Sequence, residues 1–164
     1  MTIGVNHITF AVSELQRSLD FYVNVLGCEK VAVWRRGAYL RAGSMWLCLS
    51  LDSAVSRSTG RDYTHIAFSF DPVDLAAFRA RLLAAGGTEW KVNSSEGDSV
   101  YFLDPDGHRL EAHAGSLESR LASLREAPYE GLTILGDNDN AARRPATTVE
   151  HSASHITAGC GGNT

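Results

Sequence analysis

The chain has 164 residues, 44% hydrophobic and 21% charged, which fits an ordinary globular protein of one medium domain or two fused modules and excludes disorder throughout. Its 19 acidic and 15 basic residues give a formal charge of −4 with no long basic run, and no apolar stretch approaches a membrane span, so neither nucleic acid nor a bilayer is expected as a partner. Three cysteines, Cys28, Cys48 and Cys160, an odd number without a secretory pattern at the start, point to a reducing cytoplasm and a fold that needs no disulfide.

In chain order, the first predicted element is a strand over His7-Ile8-Thr9-Phe10-Ala11-Val12. Ser13 with Gln16 three residues later signals a helix start; Leu15, Leu19, Tyr22 and Leu26 then share one helical face, and Gly27 ends the helix. Three short strands follow, at about 28–35, 38–42 and 45–51. The pattern then restarts, because His65-Ile66-Ala67-Phe68-Ser69-Phe70 repeats the first segment. Asp71-Pro72 with Asp74 opens a second helix with Leu75, Phe78 and Leu82 on one face, and strands follow at about 88–91, 99–103 and 108–114. The unit is βαβββ, used twice, with modules at about 3–52 and 62–115. Asp104-Pro105-Asp106-Gly107 reads as the tight turn between the last two strands, its carboxylates serving the turn rather than catalysis.

A third helix is expected at about 116–126, which closes a domain over 1–131. No Phe, Trp or Tyr occurs after Tyr129, and small polar residues dominate to the end, so 136–164 reads as a flexible tail. His151, His155 and Cys160 are accordingly taken as solvated bystanders rather than a metal site.

Alternation along strands assigns the polar residues to faces. His7 and Thr9 share one face, with Ile8, Phe10 and Val12 on the other. Tyr63 and His65 lie together, as do Trp46, Cys48 and Ser50, then Ser99 and Tyr101, and lastly Arg109, Glu111 and His113. Strands with one apolar and one functional face suit curved sheets with helices outside and a cavity inside. The repeated histidines, His7 and His65, with Glu111 on the closing strand make a His-His-Glu metal site for Mn²⁺, Fe²⁺, Co²⁺, Ni²⁺ or Zn²⁺, with coordination positions left open for a substrate. The segment 91–99 reads either as a solvated hairpin loop or as an oxygen-rich site for a hard cation or an anionic substrate, with Lys91 supplying charge.

In these residues the sequence resembles the fosfomycin-resistance glutathione transferases of the vicinal oxygen chelate superfamily. The motifs that carry the resemblance run in order through residues 3–131: Asn6-His7-Ile8-Thr9, Gly37-Ala38-Tyr39-Leu40, Trp46-Leu47-Cys48-Leu49-Ser50, Asp62-Tyr63-Thr64-His65, Ser95-Glu96-Gly97-Asp98-Ser99, Tyr101-Phe102-Leu103-Asp104-Pro105-Asp106-Gly107-His108 and Ala127-Pro128-Tyr129. Tyr63-Thr64-His65, the serine-glutamate loop and Arg120 mark the subfamily. The resemblance implies an α+β fold of paired βαβββ modules forming curved mixed sheets around a metal site. It also implies a homodimer with sites shared between chains, so that His7 ligates the same metal as His65 and Glu111 of a partner.

The implied reaction is Mn²⁺-dependent addition of the glutathione thiol to the epoxide of fosfomycin, with K⁺ as activator. By position, Thr9 contacts the oxirane oxygen, Lys91, Ser95, Ser99, Tyr101 and Arg120 hold the phosphonate, and Trp46 and Tyr63 line the pocket. Asn93, Ser95, Glu96, Gly97 and His113 form the K⁺ loop, while Trp34, Tyr39, Ser50 and Tyr129 take the thiol, Tyr39 beside the reacting sulfur. Arg36 and Ser94 depart from the residues common near the thiol substrate. Two rivals stand beside this reading: another enzyme of the superfamily, an extradiol dioxygenase or glyoxalase-type isomerase, against which the cationic Lys91 and Arg120 argue; and a non-catalytic drug-sequestering protein, for which a metal triad is superfluous.

The tail composition yields a first prediction: a chain ending at residue 135 melts at the same temperature as the full chain and takes up the same amount of Mn²⁺, because few apolar contacts are lost. A marked fall in melting temperature would show that the tail docks.

Overall fold

The computed structural model describes residues 1–55, 62–94 and 96–135. Ser95 and the segment 136–164, with His151, His155 and Cys160, lie outside the described residues. Residues Met1–Pro128 form one compact unit, and a second begins at Tyr129.

The fold is α+β, built from two modules of the same topology. Module 1 comprises β1 (His7–Val12), helix α1 (Leu15–Asp20), which runs on into a π-helical turn over Phe21–Val25, then β2 (Glu29–Trp34), β3 (Gly37–Ala42) and β4 (Met45–Leu51). Module 2 comprises β5 (Ile66–Ser69), α2 (Pro72–Ala84), β6 (Thr88–Lys91), β7 (Asp98–Leu103) and β8 (Arg109–Ala114), and α3 (Leu117–Glu126) follows. The sheets are open and four-stranded, in the orders β1-β4-β3-β2 and β5-β8-β7-β6. In each, the first strand pairs parallel with the last and the other pairings are antiparallel.

The outer faces carry the core. Leu47 and Leu49 of β4, Leu110 and Ala112 of β8, and Phe102 of β7 are fully buried, packed against helices whose apolar stripes are the expected ones: Leu19 and Tyr22 in the first, Leu75, Phe78 and Leu82 in the second. Gly27 ends the first helical segment at φ +89°, a left-handed conformation that disfavours a side chain. The modules meet through this core, with Phe102 lying between Phe78 at 5.1 Å and Phe21 at 6.1 Å.

A buried polar cluster also joins them. Asp106 in the β7–β8 turn, its side chain fully buried, accepts from Ser13 Oγ at 2.5 Å, Arg17 Nη2 at 2.8 Å and Ser18 Oγ at 3.2 Å. Asp104 accepts from the Tyr22 hydroxyl at 2.9 Å and from the His108 amide at 2.8 Å, with His108 Nδ1 also 2.8 Å away. The segment is the expected turn, with Gly107 N–H donating to Asp104 O. Its carboxylates do more than shape it, since they fasten module 2 to the first helix of module 1.

This explains a correction at the start of α1. Its N-cap is Glu14, whose carboxylate accepts from the amides of Gln16 at 3.0 Å and Arg17 at 2.8 Å. Ser13, expected in that role, is instead turned to Asp106. The second helix starts as read, with Asp71 accepting from Val73 N–H at 3.1 Å.

Burial alone would raise the Asp106 pKa, but the donors from Ser13 and Ser18 and the charge of Arg17 outweigh it and hold it below the usual carboxylate value. A depressed carboxylate pKa adds stability that is present above the unfolded-state pKa and is lost as pH falls through the folded one. Asp106→Asn is therefore expected to cost about 1.5–3 kcal/mol at pH 7, the range for hydrogen bonds involving a charged group. Urea melts should show the deficit narrowing toward pH 3; an equal deficit at both pH values would refute a role for the ionised form.

Candidate metal and anion site

The polar faces of the two sheets carry distinct sets of side chains. On module 2, His65 immediately precedes β5. Its Nδ1 is 2.8 Å from the Tyr63 carbonyl, which leaves Nε2 directed at Glu111 Oε2 at 2.8 Å. The other oxygen of Glu111 accepts from Ser99 Oγ at 2.6 Å, and His113 Nδ1 lies 2.8 Å from the same hydroxyl. Burial pushes the Glu111 pKa up, yet bonds from Ser99, Tyr101 and His65 and the charge of His113 bring it below the ordinary value, so the buried carboxylate is ionised at neutral pH.

An open cavity of about 300 Å³ is lined by Tyr63, His65, Tyr101, Glu111, His113 and Arg120. Lys91 enters from β6, its ammonium 4.4 Å from the Tyr63 ring centroid and 4.5 Å from that of Tyr101, and hydrogen-bonded to the Tyr63 hydroxyl. A β-bulge aims it there. The register slips between Glu89 and Lys91, so Lys91 rather than Trp90 pairs with Tyr101, and a strand pair shares a face. Trp90, which the sequence reading passed over, packs its ring 5.3 Å from Tyr101 and 6.0 Å from His65, with the Arg109 guanidinium 4.9 Å from its centroid. The only prior sign of it was an aromatic next to Lys91.

The loop before β7 abuts this cavity. Asn93 Nδ2 donates to Gly97 O at 2.7 Å, and Gly97 has φ +79°. A Cβ on Gly97 would stand 2.8 Å from Ala114 O and 2.9 Å from His113 Cε1, so both conformation and space demand glycine. Glu96 Oε2 is buried without a hydrogen-bond partner, 3.4 Å from Arg120 Nε. That oxygen is thus ion-paired with the Arg120 guanidinium without a formal hydrogen bond.

On module 1, Trp34, Tyr39, Trp46 and His7 form an aromatic run across the sheet, with centroids 4.7 Å, 5.0 Å and 4.5 Å apart in succession. His7 Nδ1 lies 2.8 Å from Asn6 Oδ1. Thr9, Cys48 and Tyr39 pair directly across β1, β4 and β3 and so share a face; Ser50 lies two residues further along it. His65 and Glu111 thus come together, and His7 stands apart from them on the other sheet. Among the described residues no group of three His, Cys, Asp or Glu side chains converges as for a metal. The imidazole nitrogen and carboxylate oxygen of His65 and Glu111 are nonetheless a fitting partial donor set for a divalent 3d ion. Tyr129 falls in the second unit.

Residues 4–112 match the Glyoxalase/Bleomycin resistance protein/Dioxygenase superfamily, and the chain belongs to that superfamily. It is 49% identical over 139 residues to the glutathione transferase FosA of Serratia marcescens, which spans 84% of this chain and 99% of that protein. It is 43% identical over 145 residues to the metallothiol transferase FosB of Shouchella clausii, at 85% and 99% coverage. Among solved structures, the fosfomycin resistance protein FosX of Mesorhizobium loti superposes with a TM-score of 0.64 at 30% identity, over 74% of this chain and 99% of that one. A mutant FosX of Listeria monocytogenes, complexed with Mn(II) and 1S,2S-dihydroxypropylphosphonic acid, gives a TM-score of 0.68 at 29% identity, over 75% and 98%. Within the superfamily the chain is therefore a member of the branch formed by the Fos proteins.

The Lys91 contact makes a prediction of its own. The hydrogen bond from Lys91, with one involving Tyr101, lowers the Tyr63 phenol pKa. Lys91→Met should return that phenol toward the ordinary value of about 10. Absorbance titration at alkaline pH should show one tyrosine moving upward in the variant, and superimposable curves would dismiss the contact.

Proposed function

We propose that this protein inactivates fosfomycin by adding a thiol, glutathione in the first instance, to its epoxide. The observation that carries the reading is the cavity in which the His65–Glu111 pair stands beside Lys91 and Arg120 and the hydroxyls of Ser99, Tyr63 and Tyr101. A phosphonate dianion needs both cationic donors and hydroxyls, whereas a neutral catechol or hemithioacetal gives no reason for them. The 49% identity to a glutathione transferase supports the same reading.

In this reading a divalent metal, Mn²⁺, is held by His65 and Glu111 of one protomer and His7 of a second copy, in a homodimer whose sites are shared. His7 stands on the first sheet while His65 and Glu111 meet at the second, an arrangement that supports this. When bound, the metal supplies a Lewis acid for the phosphonate and epoxide oxygens. The chain's own residues do the rest. Lys91, Ser99, Tyr101 and Arg120, with Ser95, hold the phosphonate. Thr9 donates to the epoxide oxygen as a ring carbon–oxygen bond breaks and that oxygen gains charge. Trp34, Tyr39, Trp46 and Ser50 orient the thiol behind the carbon it attacks, so that a carbon–sulfur bond forms as the carbon–oxygen bond opens. The thiol loses its proton near Tyr39, and the opened oxygen takes one up. Asn93, Glu96, Gly97 and His113, again with Ser95, take K⁺, with the Glu96 carboxylate as the anionic donor.

The test is adduct formation followed by mass spectrometry, with Mn²⁺, fosfomycin and either glutathione, cysteine or bacillithiol, with and without K⁺. The parent should form the glutathione adduct. His65→Ala and Glu111→Ala should lose stoichiometric Mn²⁺ uptake by paramagnetic resonance, while His113→Ala keeps it. Lys91→Ala or Arg120→Ala should keep Mn²⁺ and lower kcat/KM about ten- to a hundredfold, the worth of one charge-assisted contact. Thr9→Val should lower kcat more than it raises KM, because its contact strengthens only as the ring opens. Absence of adduct with every thiol would replace the transferase by a sequestering protein.

A further inference from the structure

A histidine that serves as a ligand needs its ring held in tilt as well as in tautomer. For His65 the Tyr63 carbonyl, 2.8 Å from Nδ1, can fix the tautomer. The tilt is set by three rings around the imidazole, Tyr63 at 4.9 Å, Tyr101 at 5.8 Å and Trp90 at 6.0 Å between centroids. Tyr63 is two residues away along the chain, and Tyr101 is fixed by pairing on both sides within the sheet. Trp90 has neither support, because it is the residue that the β6 bulge leaves unpaired.

Side-chain contacts take the place of the missing ladder bonds. Glu89, paired with the core residue Phe102, is turned to the helix side, where Arg79 of α2 donates to it at 2.6 Å and 3.1 Å. The next residue, Trp90, is thereby presented to the polar face. From there the indole reaches over β7 to β8: Nε1 donates to the Leu110 carbonyl at 3.3 Å, and the Arg109 guanidinium stands 4.9 Å from the ring centroid. Among the described residues Arg109 makes no ion pair, and its Nε is buried without a hydrogen-bond partner. A cation without a counter-ion, on the strand face that carries Glu111, opposes the binding of any second cation there. Its one specific contact is the Trp90 ring.

We propose that Arg109 and Trp90 are positioning residues for His65: the guanidinium clamps the indole, and the indole holds the imidazole with Nε2 turned to Glu111. The inference rests on the metal-dependent reading above and adds to it two residues that act through His65 rather than on the metal or the substrate. The sign of the effect separates this role from plain electrostatics. An Arg109 acting through its charge alone would repel a divalent ion, so neutralising it would tighten Mn²⁺. An Arg109 acting through the indole has the opposite effect, and neutralising it loosens Mn²⁺.

The experiment titrates the full-length protein and its variants with Mn²⁺ alone and reads affinity by paramagnetic resonance, with thermal melts beside each titration. Arg109→Gln and Trp90→Leu should each weaken Mn²⁺ binding about tenfold, the lower end of what partners behind a metal ligand contribute. Arg109→Lys keeps a cation for the ring and should hold the parent's affinity. The double variant of Arg109→Gln with Trp90→Leu should bind no more weakly than Trp90→Leu by itself, because no indole is left to clamp. If the melts show that Trp90→Leu does not fold, Trp90→Phe, which keeps a ring but has no N–H for Leu110, replaces it in the single and double variants and is judged by the same criteria. A folded Arg109→Gln that binds Mn²⁺ as tightly as the parent, or tighter, overturns the inference alone. So does an Arg109→Lys as weak as Arg109→Gln, or a double variant in which the two losses add. A parent that takes up no Mn²⁺ overturns the metal-dependent reading and this inference with it.

Discussion

The site depends on strand register. In each sheet the first and last strands of the module pair in parallel, and that pairing decides which side chains stand together. On β8, Leu110 and Ala112 are fully buried against the helices, and they alternate with Glu111. A slip of one residue would turn Glu111 into the core and bring leucine and alanine to His65. The cost of burying an unpaired carboxylate among apolar side chains forbids it. The hydrophobic face therefore enforces the geometry of the polar one.

The two modules share one topology and one pattern of buried faces, and they differ in their polar faces. Module 2 keeps ionised or hydroxylated groups at Glu111, Ser99, Tyr101 and Lys91, and these stabilise one another: Ser99 orients the carboxylate, and two aromatic rings cover the lysine ammonium. Module 1 places rings at Trp34, Tyr39 and Trp46 and small groups at Gly37, Cys48 and Ser50. In the proposed reaction, which joins a dianion to a carbon-rich thiol, the charge-compensating surface would fall to module 2 and the surface packing against uncharged atoms to module 1.

What the sequence made legible was what depends on neighbours in the chain. The repeat, the helical stripes of Leu19 and Tyr22 or of Phe78 and Leu82, the alternation in β4 and the glycine stops all follow from local periodicity, and the α+β architecture of paired βαβββ modules followed from them. What was missed depends on distant or irregular contacts. Asp106 finds Ser13, Ser18 and Arg17 far back along the chain, so a turn motif alone gave no hint of the joint, nor of Glu14 replacing Ser13 as the helix cap. The bulge at Trp90 breaks the period of two on which face assignment rests, and for that reason Trp90 was not placed beside His65. The grouping of His7, His65 and Glu111 was read from the repeat, yet among the described residues His7 does not join the other two, because alternation assigns faces and says nothing of which faces meet.

The polar joint and the site are mechanically one object. The hairpin of β7 and β8 carries Ser99, Tyr101, Glu111 and His113, and the turn that closes it is held by Asp104 and Asp106 to the helix directly following β1. Strand β1 in turn carries His7 and Thr9. A displacement of the hairpin must either break buried, charge-assisted hydrogen bonds or drag the helix and β1 with it, and close packing of Phe21 against Phe102 opposes both. Under the proposed sharing of sites between two copies, the His7 face and the Glu111 face of one chain would belong to different sites, whose spacing the joint between the modules would fix. The buried aspartates, though they line neither polar face, thus hold the β1 face and the β7–β8 face of one chain at a fixed spacing.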